Sequence, residues 1–188
     1  SKLSIQIAAR QLRYDWFEEL ISEHHFDYVF TAHHADDNLE TFLINLTRGS
    51  GLDGFTGIPA INRNIIRPLL IFSRDEILTF AKEKNIEWRE DDSNSSIKYV
   101  RNKIRHQVIP VLKEMNPSLL ETFSKTSKNL QESNQIIKDK VAEITSEIVV
   151  LENNIAKLDI EKLKSLSNPK AYLYQILKTY NFTEWNDV

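Results

Sequence analysis

The sequence predicts an α/β fold with parallel strand pairing in its first part, followed by a helical region. Strand-like and helix-like segments alternate before residue 116, which is typical of α/β units. All nine arginines lie before residue 106, whereas a seven-residue apolar repeat typical of a long helix begins after Ser118. We therefore predict two domains, 1–117 and 118–188. The repeat consists of Phe123, Leu130, Ile137 and Ile144.

Each element of the first part is predicted from a local pattern. Apolar residues three or four positions apart indicate amphipathic helices, and runs of aromatic and β-branched residues indicate strands. Ser73-Arg74-Asp75-Glu76 forms a capping box at a helix start. Tyr14 and Trp16 are expected in the core. The predicted elements are a helix over 3–23, a buried strand over 27–32, a helix after residue 37, a glycine loop over 49–57, an extended segment over 65–70, a helix from 73, a short strand over 86–88, a turn over 91–94 and a helix over 99–115 with a break near Pro110.

The sequence of the second part predicts helices that pack against one another, and it contains no pattern that indicates a catalytic or ligand-binding site. After the long helix, we expect a turn at 152–154, a short helix ending near Leu166, and a final helix from Pro169 through Tyr180. The first part has only two or three predicted strands, whereas such sheets usually have about five or six. It therefore resembles the back half of a domain.

Composition restricts the class of protein. Hydrophobic residues make up 41% and charged residues 27%, which is typical of a globular chain. The absence of cysteine excludes disulfides, Cys-ligated metals and thiol catalysis. No apolar run is long enough for a membrane span and no leader is visible, so we expect a cytoplasmic protein without a membrane partner. The net charge of −3 gives no global sign of nucleic-acid binding.

The most informative feature is the junction His33-His34-Ala35-Asp36-Asp37 between a predicted strand and a helix. Ligands of α/β sheets bind at the carboxyl ends of strands, where these residues would lie. Asp36 and Asp37 could cap the helix or hold Mg²⁺ together with substrate phosphates, and Glu40 would point the same way. His33 and His34 could bind a metal, contact substrate or pack.

Arginines and glycines supply the other candidate residues. Arg101 and Arg105 share a helical face, either solvated or positioned to bind phosphates of a ligand or RNA, and Arg10 and Arg13 are paired in the same way. The glycine loop could be a helix stop or an anion-binding loop with an arginine partner. Its candidate ligand-binding residues are Arg48, Gly49, Ser50 and Gly51.

Taken in order, these motifs resemble the tRNA(Ile)-lysidine synthetase family over about residues 8–117. Beyond Pro117, the chain resembles the family's helical tRNA-contacting domain more loosely. Asn38 stands where the family usually has glutamine. The matching strings are Ala9-Arg10-x-x-Arg13-Tyr14, Thr31-Ala32-His33-His34-Ala35-Asp36-Asp37-Asn38-x-Glu40-Thr41, Arg48-Gly49-Ser50-Gly51-x-x-Gly54, Arg67-Pro68-Leu69-Leu70, Ser73-Arg74-x-Glu76-Ile77, Glu90-Asp91-Asp92-Ser93-Asn94, Tyr99-x-Arg101-Asn102-x-x-Arg105 and Pro110-x-Leu112.

The resemblance implies the N-type ATP pyrophosphatase (adenine nucleotide α-hydrolase-like) fold and a ligase reaction. ATP would adenylate the wobble cytidine of an isoleucine tRNA at its C2 oxygen, and free L-lysine would then displace AMP. Mg²⁺ would accompany ATP. By resemblance, the site for ATP, Mg²⁺ and lysine would be lined by His33, His34, Asp36, Asp37 and Glu40 and bordered by Arg48 to Gly51. Arg10, Arg13, Arg101 and Arg105 would contact tRNA or order the site.

One departure from the family pattern concerns the nucleotide loop Ser-Gly-Gly-x-Asp-Ser, which this sequence lacks. We expect that loop before Ser1 and a further small domain after Val188, so the 188-residue chain alone should bind ATP poorly and form no lysidine. An incomplete sheet would favour self-association, such as a homodimer. The alternatives are a tRNA thiolase relative, which the lack of cysteine disfavours, a metal-dependent phosphohydrolase using His-His-x-Asp-Asp, and a non-catalytic tRNA-binding module.

Overall fold

The computed structural model describes residues 5–89, 100–153 and 155–182, with side chains from Ala8 onward. The chain forms two compact units, Ser1–Leu130 and Gln131–Val188. The helices are α1 (Ile5–His24), α2 (Ala35–Thr47), α3 (Leu52–Phe55), α4 (Arg74–Glu83), α5 (Val100–Lys103), α6 (Ile109–Met115), α7 (Leu119–Ile148), α8 (Ile160–Lys164) and α9 (Pro169–Thr179). The strands are β1 (Val29–Phe30), β2 (Ile61–Asn62), β3 (Ile65–Ile66), β4 (Val149–Glu152) and β5 (Ile155–Leu158).

The sheet of the first unit has the order β1-β3-β2. The β1 and β3 strands are parallel, with Val29 opposite Ile65, and β2 is antiparallel to β3. The predicted parallel pairing and the first strand are thus confirmed, although the strand is shorter than 27–32. Its predicted burial is wrong at Phe30, which is 68% exposed. β2 was not predicted.

The predicted strand over 86–88 is wrong because its backbone caps a helix instead. Asn85 follows α4 in the left-handed region at φ 52°, and the Ile86 N–H donates to the carbonyl of Ala81. This is the hydrogen bond of a helix C-cap, and it orients the chain away from a strand. The predicted capping box at the start of α4 is confirmed, since Ser73 and Glu76 bond reciprocally. The predicted turn over 91–94 lies outside the described residues.

Prolines shape two other segments. The predicted extension over 65–70 is wrong beyond Arg67, because Pro68 fixes its own φ near the helical value and begins a 3-10 turn over Pro68–Ile71. The predicted break near Pro110 is confirmed as a π-helical segment over Ile104–Val108. There the Ile109 N–H reaches back five residues to the carbonyl of Ile104, because Pro110 has no N–H to continue the α-helical pattern.

The core of the first unit fixes α2 against the helices that follow residue 100. Its buried residues are Leu39, Ile44, Ile104, Ile109 and Phe123. This packing holds the start of α2 near α5 and α6. The prediction that Trp16 is a core residue is wrong, since its side chain is 54% exposed, whereas Tyr14 is half-buried.

The second unit has its own aliphatic core, formed by Val141, Ile144, Ile148, Leu163 and Ile176. Its predicted helices are confirmed as the end of α7, α8 and α9. The hairpin of β4 and β5 was not predicted, although its tip lies at the predicted turn, where Asn153 has φ 50°. The two compact units meet within α7, so the functional boundary at residue 117 stays a prediction. Among the described residues, no helix is long and apolar enough to cross a membrane.

Candidate active site

The junction of β1 and α2 is built around a capping box. His34 is the N-cap of α2, and its Nδ1 accepts a hydrogen bond from the Asp37 N–H at 3.4 Å. In return, Asp37 Oδ2 accepts one from the His34 N–H at 3.1 Å. These bonds satisfy amide groups that a helix start leaves free. The capping interpretation is therefore confirmed for Asp37, whereas the role of His34 as the N-cap was not predicted.

Asp36 links the start of α2 to the start of α4 and to the last turn of α6. Its side chain is buried, and Oδ2 accepts a hydrogen bond from the Arg74 N–H at 2.8 Å while Oδ1 accepts one from Lys113 Nζ at 2.9 Å. Burial acts to raise the pKa of Asp36, but these two hydrogen bonds and the Lys113 charge outweigh it and hold the pKa below its usual value. Asp36 thereby ties α2 to α4 and α6.

Glu40 and Arg105 form a buried ion pair across the core of the unit. The Glu40 side chain has no exposed surface, and its Oε1 and Oε2 accept hydrogen bonds from Arg105 Nε at 2.5 Å and from an Arg105 terminal nitrogen at 3.1 Å. The same terminal nitrogen lies 3.1 Å from Asp37 Oδ1. Burial raises the pKa of Glu40, which the Arg105 guanidinium opposes. Arg105 is therefore not on a solvated face, and it orders the acidic residues of α2.

Arg101 adds a second cation to the same group. It donates to Thr41 Oγ1 at 2.9 Å, and its Nε lies 3.7 Å from Glu40 Oε2. Unlike Arg105, the Arg101 side chain remains 41% exposed. It can therefore contact a ligand while neutralising part of the Glu40 charge.

A cleft of about 390 Å³ opens beside the carboxyl end of β1. Carboxyl ends of parallel strands are the usual ligand-binding edge of such sheets. Asp37 is the carboxylate in its wall, opposed by three guanidinium groups. The structure thus brings together five of the sequence-predicted residues. The polar lining consists of Arg10, Arg13, Tyr14, Thr31, His33, Asp37 and Arg101.

His33 is held in the cleft by a neighbour that the sequence analysis did not identify. Its Nδ1 lies 2.9 Å from Thr31 Oγ1, which fixes the ring. Burial lowers the pKa of His33 and outweighs the opposite effect of Asp37. The imidazole is therefore neutral at pH 7 and can accept a proton.

Other side chains were missed because they come from distant parts of the sequence. Lys113 reaches Asp36 from 77 residues away, and Arg67 is buried behind the cleft. A single lysine in a predicted helix gives no indication that it pairs with an aspartate so far away in the sequence. Arg67 directly follows β3, but the sequence placed it inside an extended segment over 65–70, so its position at a strand end was not predicted.

The first part of the glycine loop lies at the opposite end of α2 from the cleft. The 13 residues of α2 span about 20 Å at 1.5 Å per residue, and Arg48 to Gly51 follow its last turn. Gly49 has φ 72°, which fits a helix stop. A Cβ on Gly57 would collide with Oδ1 of Asn38, which accepts a hydrogen bond from the Ile58 N–H. The loop thus returns to the start of α2 at Gly57, but in the described residues its candidate ligand-binding residues, Arg48 to Gly51, are not brought together with His33 and Asp37.

The acidic residues do not fit a magnesium site as they are arranged. Each oxygen of Asp36 and Asp37 already accepts a hydrogen bond from this chain, and Lys113 and Arg105 supply the positive charges. The described ranges contain no group of three or more His, Asp or Glu side chains that could hold a metal ion. A metal ion would need several ligands here, whereas a single hydrogen-bond donor needs only the second acceptor position of one carboxylate oxygen, which Asp37 offers in the cleft wall.

Parallel pairing of β1 and β3, with a cleft at the carboxyl end of β1, is typical of ligand-binding α/β proteins, and comparison with family models agrees. The PP-loop domain model matches residues 1–112, and the chain belongs to this family. A TilS substrate binding domain model matches residues 151–188. These matches confirm the predicted fold class and the family resemblance.

Curated relatives carry one name. Proteins named tRNA(Ile)-lysidine synthase are 39% identical in Porphyromonas gingivalis strain W83, 40% in Chlorobaculum tepidum and 34% in Bacillus subtilis. The alignments cover 96%, 100% and 89% of this chain but 39%, 57% and 36% of the relatives. The chain thus spans between about a third and three fifths of the length of these relatives.

Proposed function

We propose that the protein attaches free L-lysine to the wobble cytidine of an isoleucine tRNA in an ATP-dependent ligation. The relatives carry the name of this activity, and membership of the PP-loop family supports the use of ATP. The observation that carries the proposal is the cleft, which combines guanidinium groups, one carboxylate and a neutral imidazole at the carboxyl end of β1.

The charges of the cleft match the two substrates of the second reaction step. An adenylated base carries a phosphate, and Arg10, Arg13 and Arg101 supply cations for it. Lysine carries an ammonium group, and Asp37 is the carboxylate in the cleft wall that can hold it. Arg105 keeps the Asp37 carboxylate oriented. Glu40 holds Arg105 in place and does not itself contact the substrate.

His33 provides a proton acceptor for the attacking amine. The lysine side-chain ammonium must release one proton to become a nucleophile, and its nitrogen loses a second proton as the new C–N bond forms at C2, the C2–O bond breaks and AMP leaves. The His33 pKa is lowered by burial, so the ring is unprotonated at neutral pH and can take one of these protons. We expect the activity to fall as the pH drops through the lowered pKa of His33.

We include magnesium in the proposal as a companion of ATP. Mg²⁺ commonly binds through substrate phosphates with one or two carboxylates. In this chain, Lys113 and Arg105 already occupy the carboxylates of Asp36 and Asp37. We therefore assign neither aspartate as its ligand.

The second unit is proposed to contact the tRNA. The TilS substrate binding domain match over 151–188 supports this role. The partition into a catalytic part, 1–117, and a tRNA-contacting part, 118–188, belongs to the same proposal. Homodimer formation stays a prediction, which the mass in solution would test.

Transfer of labelled lysine into isoleucine tRNA tests the proposal. The protein, expressed at the length of its natural reading frame, should transfer lysine only with ATP and only to a tRNA with a wobble cytidine. Asp37→Asn should reduce the transfer at least tenfold, whereas Asp27→Asn, on an exposed residue outside the cleft, should not. Absence of transfer by the wild type would refute the proposal. The 188-residue chain alone is still predicted to be inactive.

A further inference from the structure

Arg67 places a buried positive charge behind the cleft. Its side chain is 4% exposed and follows β3, whose carboxyl end lies beside that of β1. One terminal nitrogen donates to the carbonyl of Pro59 at 2.7 Å, and Nε is buried without a hydrogen-bond partner. No carboxylate of the described residues forms an ion pair with it. A buried charge of this kind is costly, and its retention calls for a reason beyond stability.

The remaining contact of Arg67 leads into the cleft through Tyr14. The second terminal nitrogen donates to the Tyr14 hydroxyl oxygen at 3.3 Å. Arg10 donates to the same oxygen at 3.3 Å, and its guanidinium carbon lies 4.8 Å from the centre of the Tyr14 ring. Two cations therefore converge on a single phenol group in the cleft wall.

These contacts determine what the Tyr14 hydroxyl can do. A phenol oxygen accepts at most two hydrogen bonds, and both positions are taken by guanidinium groups. Its own O–H finds no acceptor among the described side chains. The polarised O–H is thus left to donate to a ligand, and the surrounding arginines favour an anionic oxygen.

We propose that Tyr14, held by buried Arg67 and by Arg10, is a binding residue that donates a hydrogen bond to a phosphate oxygen in the cleft. Arg67 is a positioning residue that acts through Tyr14. The phosphate can belong to ATP or to the tRNA backbone, and both present the same acceptor chemistry. The inference depends on the proposed function for the identity of these substrates but not for phosphate binding itself.

The test compares Tyr14→Phe with the wild type in the full-length protein. This change removes the hydroxyl and keeps the ring. We expect KM for ATP or for tRNA to rise roughly tenfold to hundredfold, the range for a hydrogen bond to a charged group. A rise for ATP assigns the phosphate to the nucleotide, and a rise for tRNA assigns it to the backbone. Tyr28→Phe, on an exposed tyrosine outside the cleft, should leave both values unchanged.

Arg67→Lys tests the positioning role, because lysine keeps the charge but loses the forked donor geometry. It should raise the same KM as Tyr14→Phe. The double variant Tyr14→Phe/Arg67→Lys should have the same KM as Tyr14→Phe alone, because Arg67 acts through the hydroxyl that Tyr14→Phe removes. Melting temperatures show whether each variant is folded. A fully additive effect in the double variant would overturn the role of Arg67.

Direct binding separates this inference from the proposed function. Equilibrium dissociation constants for ATP and for isoleucine tRNA are measured without turnover. If the wild type forms no lysidine but Tyr14→Phe weakens binding of either molecule tenfold, the ligase proposal fails and the phosphate contact stands. If both dissociation constants and both KM values stay unchanged, or only KM for lysine rises, the inference is overturned.

Discussion

The two compact units differ in the chemistry of their buried residues. In its described part, the first unit buries the charged side chains of Asp36, Glu40 and Arg67 beside a small apolar core. The core cluster of the second unit is entirely aliphatic. Apolar burial stabilises a fold by about 25 cal/mol per Å², whereas buried ion pairs often contribute no more than apolar replacements of similar volume. Asp36 ties helices together, and we propose that Glu40 and Arg67 are retained for the chemistry of the cleft.

The largest loss in the free energy of unfolding is expected from Arg105→Met in the first unit. The change removes both hydrogen bonds that Arg105 donates to buried Glu40 and leaves it the more exposed Arg101 at 3.7 Å, which should destabilise the unit by about 3–5 kcal/mol. In hydrogen exchange, the backbone amides of α2 should lose protection, whereas those of α9 should not. A loss below 1 kcal/mol would contradict the account, because it would mean that Glu40 is already compensated by other groups.

Asp36→Asn should have an intermediate and pH-dependent effect. The loss of a charged acceptor for Lys113 and the Arg74 N–H should destabilise the protein by about 1.5–3 kcal/mol near pH 7. Because the folded-state pKa of Asp36 is lowered, its contribution is complete above the unfolded value of 3.8 and disappears as the pH falls through the folded pKa.

Urea denaturation of both proteins as a function of pH measures this effect. The difference in unfolding free energy between wild type and Asp36→Asn should shrink below about pH 4, close to the unfolded pKa. A difference that is constant with pH would show that the carboxylate charge is not involved. The magnesium concentration for half-maximal activity should be unchanged, since Asp36 is not assigned to the ion.

The smallest effect is expected from Ile176→Val in the second unit. Removing one methylene from a well-packed aliphatic core should cost about 0.5–1.5 kcal/mol. Ile176 is 2% exposed, so the site has little room to relax. In hydrogen exchange, the backbone amides of α9 should lose protection and those of α2 should not. The KM for ATP should stay the same. A changed KM for ATP would refute the separation of roles between the units.

Local features of the fold could be predicted from the sequence, and long-range ones could not. The Ser73 capping box, the start of α2 and the Pro169 helix depend on residues within one turn of each other. The hairpin of β4 and β5 was missed because two short apolar runs do not distinguish a strand from a helix. Trp16 was misplaced because helical periodicity identifies an apolar face but not whether another element covers it.

The candidate site was predictable in residue type but not in arrangement. The motif placed His33 and Asp37 at a strand end, and the cleft includes both. It could not show that Glu40 is fully buried against Arg105, because that contact joins residues 65 positions apart. The motif also could not distinguish the role of Asp36 from that of Asp37, because their hydrogen-bond partners come from different helices.

Replacing the buried pair by apolar residues tests the central claim most directly. In the double variant Glu40→Leu/Arg105→Met, both charges of the pair are removed together, so that Glu40 is not left buried without a cation, and Asp37 loses its hydrogen bond from Arg105. If the pair serves chemistry rather than stability, the variant should unfold at the same or a higher temperature and lose at least a hundredfold in lysine transfer to tRNA. A folded variant that keeps a tenth or more of the wild-type transfer rate would contradict the account.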